Sequence, residues 1–193
     1  MRRADFSLQA IRDPRLAIHA AAAAPAWVWS SDGARIIWAN AAGVAFFGAH
    51  DDDELAERTF SPADAHRRQI AQLTGRLPAS GALRLERLRG FGAAPGMLMT
   101  CACSRMSFAH GESGILIAAS QPAGRVSSFA GRLDALIGSL DKPAAAFSNS
   151  GDFISGNVVA DDLPDFASVA PDLLNDTSRA ELAGPGPIVI NTA

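Results

Sequence analysis

Pro25-Ala26-Trp27-Val28-Trp29-Ser30-Ser31-Asp32-Gly33, followed by Ala34-Arg35-Ile36-Ile37-Trp38-Ala39-Asn40, decides the fold. Two short runs rich in β-branched and aromatic side chains, 26–30 and 35–39, flank an Asp-Gly pair, which suits the positive φ values of a tight turn. An antiparallel hairpin is therefore predicted. Asn40 stands directly before Ala41-Ala42-Gly43-Val44-Ala45-Phe46-Phe47, where its side chain can accept from the free amides of a helix beginning there. Gly48 is placed to close that helix.

Upstream, Asp13-Pro14 pairs a capping carboxylate with proline at the first helical position, so a helical segment is expected within 1–24, ended by Pro25. Downstream, Asp51-Asp52-Asp53-Glu54 lacks the spacing and glycine of a calcium loop and suits the first turn of a helix. Ser61-Pro62-Ala63-Asp64 opens a longer helix to about Leu77, with His66, Ile70, Leu73 and Leu77 on one face. Strands are expected at 82–88, 97–108 and 113–120, which with the hairpin makes five. Arg84, Glu86, Arg87 and Arg89 read as a charged, solvated strand edge. On the strand at 97–108, Met97, Met99, Cys101 and Cys103 share one face, and Leu98, Thr100 and Ala102 the other. Trp27 and Trp29 share a face as well, either in the core or in a dimer patch. Val126, Phe129, Leu133, Leu136 and Leu140 follow a three-four spacing over an amphipathic linker helix at 126–140, a candidate dimer seam two heptads long.

Composition narrows the function. The 193 residues are 48% apolar, but 39 of them are alanine, so one modest core is within reach. Arginine outnumbers lysine 16 to 1 and tyrosine is absent, a pattern of GC-rich coding. The net charge of -3 is the wrong sign for a chain that tracks phosphates, and no nucleic-acid partner is expected. Residues 1–140 carry 15 basic and 12 acidic side chains, residues 141–193 carry 2 and 8, which places a boundary near 140. Cys101 and Cys103 suit neither a usual structural disulfide nor a four-ligand zinc site, so reduced thiols and a cytoplasmic location are expected. No signal-peptide core and no apolar run of membrane-spanning length is present, so no membrane partner is expected. The fragment His110-Gly111-Glu112-Ser113-Gly114 lacks the Gly-x-Ser-x-Gly elbow of a hydrolase.

The opening hairpin also recurs. Pro143-Ala144-Ala145-Ala146-Phe147-Ser148-Asn149-Ser150-Gly151 matches Pro25 to Gly33 at an offset of 118, and Asn157 matches Asn40 with one residue fewer after the turn. A repeat of this length implies tandem domains. Pro187-Ile188-Val189-Ile190-Asn191 lies about where a third strand would start, so the second domain, 143–193, is predicted to be partial, with a divergent short module as the alternative.

With its strand, Asp-Gly turn, strand, Trp38-Ala39-Asn40, short helix and Phe46-Phe47-Gly48, the stretch 25–121 resembles the PAS domain family. The resemblance implies an α+β fold: a five-stranded antiparallel sheet of order 2-1-5-4-3 with helices over one face. It also implies a pocket between them, with His66, Ile70, Leu73, Met99, Cys101 and Ile117 as candidate lining residues. Some PAS domains hold haem through a histidine on the long helix, which makes His66 a candidate ligand. No cofactor is predicted from the residues themselves, since no further haem signature and no Asn-Cys-Arg-Phe-Leu flavin motif is present. A redox-sensing Cys101–Cys103 pair is the alternative to two structural thiols.

Tandem PAS domains joined by a heptad helix are similar to the sensory region of bacterial histidine kinases. The resemblance implies a homodimer, a downstream kinase domain and a response regulator. The chain itself has no H-box histidine and no glycine-rich ATP-binding boxes, so no catalysis is carried over. A stand-alone protein-interaction module is the second expectation and a small enzyme the remote third.

Overall fold

The computed structural model describes residues 13–91, 96–108, 111, 113–124, 127–140, 144–147, 153–157 and 188–191, with Phe147 and the last four through their backbone only. The chain divides into two compact units, Met1–Arg132 and Leu133–Ala193.

In the first unit, helix α1 (Pro14–Ala20) starts as expected, with Asp13 accepting from the Arg15 amide and proline in the first turn. It stops at Ala20 although alanines continue to Ala24, because the carbonyls of His19, Ala22 and Ala24 are taken by the Asn40 side chain. Strands β1 (Ala26–Ser30) and β2 (Ile36–Ala39) form the predicted hairpin. At its turn Gly33 has φ +67°, and a Cβ there would lie 2.7 Å from the Arg67 carbonyl. Only glycine satisfies both conditions.

Helices α2 (Ala41–Phe46), α3 (Asp52–Glu57) and α4 (Ala65–Arg76) follow. The acidic run is a helix start: Asp51 accepts from the Glu54 amide, and Glu54 reaches back to the His50 amide at 2.8 Å. Asp64 caps α4, so that helix begins later than the Ser61-Pro62 signal suggested. Strands β3 (Arg84–Arg89), β4 (Leu98–Ser107) and β5 (Ser113–Ala119) complete an antiparallel sheet of order β2-β1-β5-β4-β3, the predicted order.

The sheet has two apolar faces, which explains why β1 and β5 are buried along almost their whole length. Trp27, Trp29, Leu88, Cys101, Cys103, Ile115 and Ile117 meet Val44, Leu55, Ile70 and Leu73 of α2, α3 and α4. Ala26, Val28, Trp38, Met106, Leu116 and Ala118 meet Leu16 of α1 on the opposite face. Helices thus lie on both faces, where one had been expected. Ile36 and Trp38 are two residues apart yet join opposite faces, because a bulge between Val28 and Trp29 leaves Ile37 without a partner in register.

Helix α5 (Phe129–Gly138) is shorter than the expected 126–140 and contributes residues to both units. In the second unit, strands β6 (Ala144–Phe147), β7 (Phe153–Gly156) and β8 (Ile188–Asn191) form a sheet of order β7-β6-β8. The bulge recurs here, between Ala146 and Phe147. The strand at 188–191 does not take a third-strand place. It pairs antiparallel with β6 on the side that β5 takes beside β1, with Ala144 opposite Asn191 as Ala26 is opposite Ala118. Most of the expected domain at 143–193 lies outside the described residues.

Candidate functional site

The space between the first sheet and α2–α4 is where a ligand pocket was expected. Ile70, Leu73, Cys101 and Ile117 all belong to the buried cluster there, and Met99 packs against it half-buried. The structure therefore brings these candidate lining residues together in one buried cluster. Trp27 and Trp29 are fully buried, which settles them as core, and aromatic rings surround them. Phe46, Phe47 and Phe91 stand edge-on to Trp27 at centroid distances of 5.2, 5.7 and 5.4 Å. Phe60 lies 4.6 Å from Trp29. Such pairs contribute about 0.5–1.5 kcal/mol each beyond their area burial.

His66 stands at the margin of this cluster, its ring 4.9 Å from Phe91, 5.3 Å from Phe47 and nearly parallel to Trp29 at 6.2 Å. Its Nε2 is 3.0 Å from the Gly90 carbonyl oxygen, which can only accept, so Nε2 carries a proton and donates. Nδ1 is 3.2 Å from Asp64 Oδ1. A haem axial ligand needs an imidazole nitrogen free and aimed into open space. Both nitrogens of His66 face protein oxygens, so these residues do not fit haem. Among the described residues no group of three or more His, Cys, Asp or Glu is placed to hold a metal ion.

Cys101 and Cys103 are fully buried, with their sulfurs directed to the carbonyls of Met99 and Cys101. Burial pushes the Cys101 thiol up to about 12, and raises Cys103 through burial, the neighbouring Cys101 and Glu86. Thiols held so far from ionisation are poor nucleophiles at neutral pH. Of the proposed seam, Leu133 and Leu140 are buried within the single chain, Leu136 is half-buried, Phe129 is 42% exposed, and Val126 lies outside the described residues. His110 and Glu112 also lie outside them.

Asn40 does more than cap α2. Its Oδ1 accepts from the amides of Gly43 at 2.8 Å and Ala26 at 3.0 Å, while Nδ2 donates to the carbonyls of His19 at 2.8 Å and Ala24 at 2.9 Å. One buried side chain thereby joins α1, β1 and α2. Asn157 repeats the arrangement: Oδ1 accepts from the Ala144 amide at 2.7 Å, and Nδ2 donates to the carbonyls of Ile137 and Leu140 at 3.2 and 3.1 Å. Its own amide donates to the Ala144 carbonyl, as that of Asn40 does to Ala26. Helix α5 is therefore the counterpart in the second unit of α1 in the first.

The arginines, read in the sequence as composition, fasten loops and helix ends. Arg58 donates to the Phe47 carbonyl at 2.7 Å, Arg67 to that of Phe60 at 2.9 Å, Arg105 to that of Thr74, and Arg132 Nε to that of Ala21 at 2.9 Å. Backbone carbonyls leave no mark in sequence, so no signal could have paired them. Among the described residues no helix is long and apolar enough to cross a membrane. Comparison with protein-family models, with curated proteins and with solved structures gives no match for this chain.

Proposed function

We propose that the chain is the sensory and dimerisation region of a cytosolic sensor histidine kinase acting in a phosphorelay: a PAS-type module, a connecting helix and a second, related module. The observation that carries the proposal is the recurrence of the Asn40 hydrogen bonds at Asn157. In each unit an asparagine at the end of the second strand holds the end of the preceding helix. Helix α5 is fastened at both ends, by Arg132 to the Ala21 carbonyl and by Asn157 to Ile137 and Leu140. A change of packing around α1 alters the pull on α5, and α5 passes it on as a rotation or shift. The strand order β2-β1-β5-β4-β3 supports the same family likeness.

Association with a second copy draws support from the outer face of the β3–β4 edge, where Leu83, Leu85 and Leu98 are 61, 69 and 45% exposed. The same patch supports the second proposal, a stand-alone protein-interaction module. Reading the coding sequence downstream of codon 193 separates them. An H-box and ATP-binding boxes in frame, with autophosphorylation of the longer product, are expected for the kinase. A stop codon there contradicts it.

A further inference from the structure

Away from the ring cluster, a cavity of about 330 Å³ opens at the end of the first sheet, where the β1–β2 turn, the loop after α4, the end of β4 and the start of β5 converge. Its described lining holds two guanidinium groups, Arg15 and Arg105, several hydroxyls, and no carboxylate. The two arginines differ in charge balance. Arg15 is matched by Asp13, with contacts of 2.9 and 2.5 Å to the two carboxylate oxygens.

Arg105 projects from β4 on the strand parity of Cys101 and Cys103, opposite Ile115. Nη2 donates to the Thr74 carbonyl. Nε is closed off from solvent and meets no acceptor, and among the described residues no carboxylate pairs with the group. Among the described residues, this half-buried cation meets neither a counter-charge nor an acceptor for its Nε.

The wall beside it is already built. Thr74 Oγ1 donates to the Ser31 carbonyl at 2.6 Å, and Ser31 Oγ lies 3.2 Å from Ser113 Oγ. Ser80 and Ser107 present exposed hydroxyls at the rim.

We propose that this cavity is a binding site for a small hydroxylated oxyanion, its carboxylate or phosphate group facing Arg105 and its hydroxyls meeting the serines. The sign of the ligand follows from the unmatched guanidinium, which forms its strongest hydrogen bonds to ionised oxygen acceptors. Its size follows from the volume, at the small end for ligand pockets. Its polarity follows from the hydroxyl lining. The site stands independently of the signalling role, since binding can be present whether or not a kinase follows.

Titration calorimetry of the full chain against sodium gluconate, sodium phosphate and neutral glucose tests the site. Saturable binding of gluconate or phosphate with a Kd of about 1 mM or below is expected, with no heat of binding for glucose. The preferred anion distinguishes a carboxylate ligand from a phosphate. Arg105→Gln should weaken binding at least about tenfold. Because Arg105 also fastens Thr74, Ser107→Asp is the second variant: it leaves that contact in place, sets a negative charge at the rim, and should abolish binding with an unchanged melting temperature. Absence of saturable binding by either anion up to about 20 mM, glucose binding as well as gluconate, or unaltered affinity in both variants would overturn the proposal.

Discussion

The side chain of Asn157 makes, on the backbone of Ile137, Leu140 and Ala144, the hydrogen bonds that Asn40 makes on His19, Ala22 and Ala26. Ile137, Leu140 and Ala144 lie 118 residues beyond His19, Ala22 and Ala26, and Asn157 lies 117 beyond Asn40. In both units the following residues also hold a bulge at the equivalent step of the hairpin, Val28/Trp29 and Ala146/Phe147. An asparagine with the helix before it and the bulged hairpin is therefore the repeated element.

Asn40→Ala removes a helix cap and strands the Ala26 amide and the Ala24 carbonyl, while His19 keeps the Ala22 amide. The cap alone contributes about 1 kcal/mol, and each unsatisfied buried group costs about 1–3 kcal/mol where water cannot reach it. Urea denaturation should show a loss of about 3 kcal/mol in the first unit. Asn40→Asp should not restore it, because a carboxylate cannot donate to the His19 and Ala24 carbonyls. A loss below about 0.5 kcal/mol would show that the contacts are replaceable.

How far the fold was legible follows from where each signal resides. Asp32-Gly33, Asn40 and the three-four spacing of α4 are local signals, and they placed the hairpin, α2 and the inner face correctly. Trp27 and Trp29 were placed on a shared face, but which face was core depends on partners such as Phe60 and Phe91, 31 or more residues away. The early end of α1 was not legible, since alanine favours helix and the groups that end it belong to Asn40. The buried state of Leu133 and Leu140 was likewise hidden, because a heptad seam and an inward-facing stripe have the same spacing.

Gly43 has no room for a side chain. A Cβ would lie 2.7 Å from the Ala26 carbonyl and 2.7 Å from Trp27 Nε1, which donates to the Gly43 carbonyl at 3.0 Å. Gly43→Ala should gain helix propensity yet lower stability by about 1–3 kcal/mol through that collision. Thermal melting followed by near-ultraviolet circular dichroism reads the loss. A melting point at or above the parent's would mean that α2 can move away freely.

The thiols of Cys101 and Cys103 should be silent in the native protein. At pH 8, with Cys101 pushed up to about 12, Ellman's reagent should titrate both only after addition of denaturant. Rapid native-state reaction would contradict the buried placement and restore the redox pair.

Burial lowers the pKa of His19 below its ordinary 6.5. The unfolded chain then binds a proton more readily than the folded one, so stability rises with pH across this window. It should be complete above about pH 6.5 and fall as the pH drops from there towards the folded-state value. His19→Gln should flatten that limb in denaturation curves between about pH 5 and 7. An unchanged slope would assign the pH dependence to other groups.

Arg132→Ala tests the proposed passage of a change at α1 along α5. Hydrogen exchange on the intact chain should show faster exchange at the end of α1, where the bond from Arg132 to the Ala21 carbonyl is lost. The increase should continue along α5 and into β6 and β7, where Asn157 holds Ile137 and Leu140. An increase confined to residues 13–24, with β6 and β7 unchanged, would contradict the coupling.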